Sequence, residues 1–264
     1  MGFIWIAILL GIVEGLTEFL PVSSTGHLIV LGDLLGFRGE TSETFEIFIQ
    51  LGAILAVVVL ERRRFLDLLR TGRPRGFAGP RGCALLLTTT LPALVAGALV
   101  HDWIKDNLFG PATVAWALAL GGLALLVVER FRPATTLRDV DGLGYRQALA
   151  IGLFQCLSLW PGVSRSGATI VGGLVCGLER RTAAHYSFLA AVPVMAAATL
   201  YDLMKSWSHL GSQDIAPFAV GFVVAFLSAC AAIRWFLTLL GRHTLRPFAW
   251  YRIVIAPAVY FLVK

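Results

Sequence analysis

Glu14-Gly15-Leu16-Thr17-Glu18-Phe19-Leu20-Pro21-Val22-Ser23-Ser24-Thr25-Gly26-His27 sets two carboxylates, four hydroxyls and an imidazole in strongly apolar surroundings. Ionisable side chains at membrane depth are costly, so such a cluster marks a functional site by default. Residues 3–20 read as one apolar helix with Glu14 and Glu18 four apart, hence on one face. Pro21 ends it, Ser23–Gly26 is a polar break, and 25–36 reads as a second, shorter apolar helix. Neither arm is a comfortable crossing, which takes roughly 20 apolar residues. A helix, a polar tip and a shorter helix read as a re-entrant hairpin. A bilayer tolerates such irregular backbone only where protein or a water-filled cavity surrounds it.

A second stretch, Pro161-Gly162-Val163-Ser164-Arg165-Ser166-Gly167-Ala168-Thr169, has the same build between apolar arms at 147–160 and 167–177. Pro21–Gly26 resembles Pro161–Gly167 with one residue inserted, and the pairs Gly11/Gly152 and Phe45/Tyr186 are both 141 residues apart. Six further apolar runs, 43–60, 83–100, 111–129, 183–203, 216–240 and 248–263, read as full spans. Each half is therefore hairpin, span, span, span. The expected fold is an all-α integral membrane domain of two repeats, 1–131 and 145–264, with six spans and two re-entrant hairpins.

Composition agrees. The chain is 57% hydrophobic and 14% charged, with mean hydropathy +0.78, whereas soluble domains run near about 25% charged. A net charge of +6 raises nucleic acid as a partner. The basic residues nevertheless lie in short loops between apolar runs, with no basic groove or RNA-binding motif, so no nucleic-acid partner is expected. Loops 61–81, 130–146, 178–181 and 241–247, with Arg252 just beyond the last, hold sixteen of the 22 Lys and Arg residues. Arg38, Lys105, Lys205 and Lys264 fall on the other side. By the positive-inside rule the six spans thread consistently only if the first hairpin enters from outside and the second from the cytoplasm. The halves are then inverted, the plan of many transporters, whose sites lie at the midplane between repeats. Trp5, Trp103, Trp207 and Trp250 near span ends fit an aromatic belt. Cys83, Cys156, Cys176 and Cys230 fall singly and show no metal-ligand spacing, so they read as reduced core residues. The first helix lacks a basic n-region and a clear cleavage site, which speaks against a removed signal peptide.

The two tips carry the candidate chemistry. Arg165 offers a guanidinium fork beside Ser164, Ser166, Gly167 and Thr169, where a helix begins. Helix starts and arginine forks both hold phosphate; the alternative is a buried arginine paired with Glu14 or Glu18. Ser23, Ser24 and Thr25 are candidate nucleophiles or phosphate donors, and His27 a candidate base, acid or nucleophile. Glu14 and Glu18 ionised together repel each other, and a shared proton, Arg165 or a divalent cation (Mg²⁺ or Ca²⁺) would relieve that. Glu46 and Gln50 share a face that can turn to the same cavity, while Glu43 fits a solvated helix end equally well. His185 and Tyr186 read as structural or interfacial.

These two motifs, with Glu43-Thr-Phe-Glu46 and Ile49-Gln50-Leu51-Gly52, resemble the signatures of the bacterial undecaprenyl-diphosphate phosphatase, or bacitracin-resistance, family, over essentially the full chain. The resemblance implies a hydrolase of the cytoplasmic membrane, its site facing the outside. It would remove the terminal phosphate of a polyprenyl diphosphate lipid and recycle the carrier for cell-wall synthesis, which gives bacitracin resistance. It also implies dependence on a divalent cation, interdigitated inverted repeats and the capacity to dimerise. The family's carboxylate pair maps onto Glu14 and Glu18, its tip serine and histidine onto Ser24 and His27, and its arginine motif onto Ser164, Arg165, Ser166 and Thr169.

On this reading Arg165 and the tip N–H groups hold the phosphates, Glu18 with Glu14 places a cation or a proton, and Ser24 attacks while His27 accepts its proton. His27 or activated water as nucleophile stays equally open. The rival class is a flippase or carrier of a phosphorylated polyprenyl lipid or anion. A lipid phosphatase of the phosphatidic-acid type needs Lys…Arg-Pro and Arg…His…Asp elements, which do not occur in order around Arg165.

Overall fold

Long runs of Leu, Val, Ala and Ile form helices in lipid because every backbone polar group must be satisfied within the segment. The computed structural model describes residues 2–71, 75–108, 110–206 and 214–262, and among these the chain is helical, with no β-strand. The helices are α1 (Phe3–Thr17), α2 (Ser24–Leu34), α3 (Glu40–Leu60), α4 (Arg62–Leu68), α5 (Gly79–Leu108) and α6 (Pro111–Phe131), followed by α7 (Tyr145–Gln155), α8 (Arg165–Val175), α9 (Arg180–Ser206), α10 (Ile215–Leu240) and α11 (Arg246–Leu262). Five segments are long and apolar enough to cross a membrane: Thr41–Leu60, Gly79–Val100, Pro111–Phe131, Arg180–Asp202 and Ile215–Leu240. They coincide with five of the six expected spans. The sixth, α11, has 17 residues within the described range.

The first hairpin differs from expectation at its turn. Helix α1 ends at Thr17 rather than near residue 20, and Glu18 is its C-cap, with its N–H on the Glu14 carbonyl at 2.9 Å. Pro21 has no N–H and pushes Leu20 out of helical geometry, so the last turn unwinds early. In the second hairpin α7 stops at Gln155, and a 3₁₀ turn at Cys156–Leu159 leads into the tip.

Close packing rests on glycines at matched places. A Cβ on Gly11 of α1 would lie 2.7 Å from the Gly221 carbonyl of α10, and one on Gly152 of α7 would lie 2.6 Å from the Thr89 carbonyl of α5. Small residues let membrane helices approach backbone to backbone. The pairing runs α1 on α10 and α7 on α5, then α3 on α10 and α9 on α5, with α3 against α9 and α6 against α11. Helix α1 thus leans on α10, and α7 on α5, each far from its partner along the chain. Gly15 is the tightest point on α1, where a Cβ overlaps the Ala225 carbonyl and the Ala229 amide of α10. Both neighbours are backbone and cannot yield. Gly15→Val is expected to destabilise by about 1–3 kcal/mol, read as a lower thermal unfolding midpoint in detergent.

Polar clips join the arginine-rich loops. Arg64 donates to both Asp141 carboxylate oxygens at 2.8 and 3.0 Å, and the Phe77 N–H donates to Asp141 at 2.8 Å. Burial raises the Asp141 carboxyl, but the Phe77 amide and the Arg64 guanidinium outweigh it and hold it below its ordinary value. Glu129 receives Arg180 through two bonds of 2.7 and 2.5 Å and the Leu245 N–H at 2.9 Å. His185 lies 3.0 Å from Glu61, and the Tyr186 hydroxyl 2.6 Å from that of Thr89. Both contacts tie helix α9 to its neighbours.

Three placements need correction or completion. Arg252, counted with the loop arginines in the charge balance, lies inside α11, within the expected span, and is 0% exposed. The four cysteines are unpaired, but Cys83 is exposed rather than in the core. Trp5, Trp103 and Trp250 are exposed, and Trp207 lies outside the described residues.

Candidate active site

The two tips are built alike. Ser23 has φ 71° and Ser164 has φ 71°, the two positive-φ non-glycine residues among those described. Non-glycine residues rarely adopt this backbone, and such strain clusters at functional sites. Each serine caps the helix that follows. The Ser23 Oγ accepts from the Gly26 N–H at 3.4 Å, and the Ser164 Oγ from the Gly167 N–H at 3.1 Å. From Ser23/Ser164 onward the tips run in step, so Ser24 and Arg165 are each the first residue of a helix. One tip offers a hydroxyl where the other offers a guanidinium.

Between them lies a cavity of about 160 Å³, lined by Glu18, Ser23, Ser24, Thr25 and Gln50 from the first half and Ser158, Pro161, Gly162, Ser164, Arg165 and Met195 from the second. A short polar chain crosses it. The Ser24 hydroxyl donates to Glu18 Oε2 at 2.5 Å, and Arg165 Nη2 donates to Glu18 Oε1 at 3.0 Å. Arg165 Nη1 is held by the Ser187 carbonyl at 3.0 Å, and the guanidinium carbon sits 5.6 Å from the centre of the Phe19 ring. Its Nε is buried with no hydrogen-bond partner. The carboxylate partner weighed on sequence is therefore present, and it is Glu18; Arg165 also lies in the wall of the polar cavity. Two helix N-termini, those of α2 and α8, open on the same space, and such ends attract anions.

The structure does not bring every candidate here. His27 is not part of the cavity lining. Its Nδ1 lies 2.7 Å from the Ser23 carbonyl and its Nε2 2.5 Å from the Tyr251 hydroxyl, so Nδ1–H donates and Nε2 accepts. Ser24 donates to Glu18 instead, which corrects the expectation that His27 takes the serine proton. Ser166 and Thr169 are buried behind the tip. Ser166 donates to the Leu20 carbonyl at 2.8 Å, and Thr169 lies 2.6 Å from the Ser187 hydroxyl; they brace the site rather than face it. Glu46 sits beside Gly32 of α2, off the cavity wall, whereas Gln50, one turn on, lines it. Glu14 is 0% exposed, and among the described residues neither of its carboxylate oxygens has a hydrogen-bond partner.

Four contributors were missed on sequence: Ser158 and Met195 in the wall, Ser187 behind Arg165, and Tyr251 against His27. Ser187 carried one signal, since it lies 141 residues after Glu46, itself a candidate.

Comparison with known proteins shows the family. The family described as "Bacitracin resistance protein BacA" matches residues 7–258. The chain is 58% identical over 257 residues to the undecaprenyl-diphosphatase of Nitratidesulfovibrio vulgaris (strain Hildenborough), covering 97% of each chain. It is 56% identical over 261 residues to that of Maridesulfovibrio salexigens, covering 99% of each, and 56% identical over 254 residues to that of Oleidesulfovibrio alaskensis, covering 96% of each. With a match of this length, and with both signature motifs meeting at one polar cavity, the chain belongs to the bacitracin resistance protein BacA family.

Proposed function

We propose that this protein is an integral membrane phosphatase that hydrolyses undecaprenyl diphosphate to undecaprenyl phosphate and inorganic phosphate. The observation that carries the reading is the Ser24–Glu18–Arg165 chain, an aligned hydroxyl, carboxylate and guanidinium at the wall of a polar cavity. The lipid tail lies among the helices while the diphosphate enters the cavity from the outer face of the cytoplasmic membrane. The exchange of hairpins between halves and the matched tips support two inverted repeats, 1–131 and 145–264, with six spans and two re-entrant hairpins.

Arg165 and the starts of α2 and α8 hold the phosphate oxygens. Ser24 Oγ attacks the terminal phosphorus as its proton passes to Glu18. The bond from that phosphorus to the bridging oxygen breaks, and undecaprenyl phosphate leaves. Water then attacks the phosphoserine, inorganic phosphate departs, and the proton returns to Ser24. Direct attack by water, with Glu18 as base, gives the same products. Phosphoryl transfer gains mainly from positioning and charge neutralisation, which this arrangement supplies. His27, with both ring nitrogens engaged, positions the tip.

The orphaned carboxylate of Glu14 fits a hard cation such as Mg²⁺ or Ca²⁺, with Glu18 nearby. Among the described residues no cluster of three His, Cys, Asp or Glu side chains suits a metal. Glu14 and Glu18 would therefore supply part of a coordination shell, and substrate oxygens and water the rest. The cation would neutralise phosphate charge.

The test is phosphate release in detergent, where membrane sides do not exist. Release from undecaprenyl diphosphate with Mg²⁺ or Ca²⁺, lost on chelation, is expected. No release under either metal would leave the carrier reading standing.

A further inference from the structure

Arg252 is fully buried in α11, and it donates to four main-chain carbonyls on three segments. On α6, Nε reaches the Leu118 carbonyl at 3.2 Å and Nη2 the Ala117 carbonyl at 3.1 Å. Nη1 reaches the Pro21 carbonyl of the first tip at 3.3 Å, and Nη2 the Gly162 carbonyl of the second at 3.0 Å. Among the described residues none of its hydrogen bonds goes to a carboxylate.

A buried charge without a counter-charge is costly, and an apolar side chain of similar volume is often as stable or more so. The choice of partners points to what the guanidinium does. Pro21 lies two residues before the Ser23 cap, and Gly162 two residues before the Ser164 cap. Gly162 is itself in the cavity wall. Glycines clear the space: a Cβ on Gly121 of α6 overlaps Arg252 Nη2, and one on Gly167 of α8 would lie 3.0 Å from Nη1. The preceding residue, Tyr251, stacks on His27 with ring centres 5.6 Å apart and planes 5° from parallel. Helix α11 thus grips the first hairpin beyond the tip as well.

We propose that Arg252 is a positioning residue whose planar fork sets the distance between the two tips, and so the register of Ser24 against Arg165. This rests on reading the tips as the active site. Lysine keeps the charge but is a point donor on a flexible stem, and it cannot span four carbonyls in a plane. Displacing reacting groups by about 1 Å can cost roughly 100-fold in rate.

The experiment measures kcat and KM for phosphate release from undecaprenyl diphosphate in detergent, with thermal unfolding as the fold control, on the parent, Arg252→Lys, Gly121→Ala and the double variant. In Gly121→Ala the new methyl displaces only the far end of the Arg252 side chain, so this variant folds even where Arg252→Lys does not, and it then decides alone. Both single variants are expected to lose about 100-fold in kcat while folded, and the double variant to lose no more than Arg252→Lys. An arginine serving stability alone would lower the unfolding midpoint and leave the kcat of folded protein at the parent value. Parental kcat in either folded single variant, or additive losses in the double, overturns the proposal. A parent that releases no phosphate sinks the phosphatase reading instead.

Discussion

Arg165→Ala is expected to lower kcat for phosphate release by at least about 100- to 1,000-fold, the range for removing one preorganised donor from developing charge. Arg165 has two tasks in this geometry. It pairs with Glu18 at 3.0 Å, and on the proposed mechanism its guanidinium, in the cavity wall, holds a phosphate oxygen. Alanine removes both and leaves the Glu18 carboxylate without its cation, which costs stability as well. Arg165→Lys separates the two effects. It keeps a cation near Glu18 and loses the planar fork, so it should recover the unfolding midpoint while recovering little turnover. The check is kcat beside thermal unfolding on monodisperse protein. Turnover near the parent value in folded Arg165→Ala would remove the centre of the proposed mechanism.

The second large effect is expected at Glu18. Glu18→Gln keeps the size of the side chain but cannot take the Ser24 proton. It must also turn its amide nitrogen towards either Arg165 or the Ser24 hydroxyl, each of which donates to Glu18 in the parent. A loss of about 100- to 10,000-fold is expected, the range for a positioned general base. A double-mutant cycle with Ser24→Ala tests the connection, because two residues acting as one unit lose less together than the sum of their separate losses. Additive losses would mean that the 2.5 Å contact is not the route of the proton. Comparing Glu14→Gln in the same assay, over a range of Mg²⁺ concentrations, reports whether the orphaned carboxylate has a part in the cation requirement.

Much of this was legible along the chain, and the reason is local. An apolar run long enough to span, a proline that stops a helix and a polar tip between two short arms are all features of contiguous residues. Five expected spans could be placed from them, and the tips were marked by hydroxyls and charge where neither belongs. Glu14 and Glu18 looked equivalent because a helical face is also a local property. They are not equivalent: the helix ends between them, one carboxylate is left without a partner, and the other is tied to Ser24 and Arg165.

What sequence alone determined was the kind of molecule: a helical membrane chain with two matched polar tips that carry the candidate site residues. Tertiary structure decided which of those residues meet. Glu18 reaches Arg165 across 147 positions of the chain, His27 reaches Tyr251 across 224, and Arg252 reaches the first tip across 231. Such contacts depend on how far a distant helix is turned and how closely glycines let it approach. No run of neighbouring residues encodes that rotation, which is why neither Tyr251 nor Arg252 could be tied to the tips until the helices were packed together.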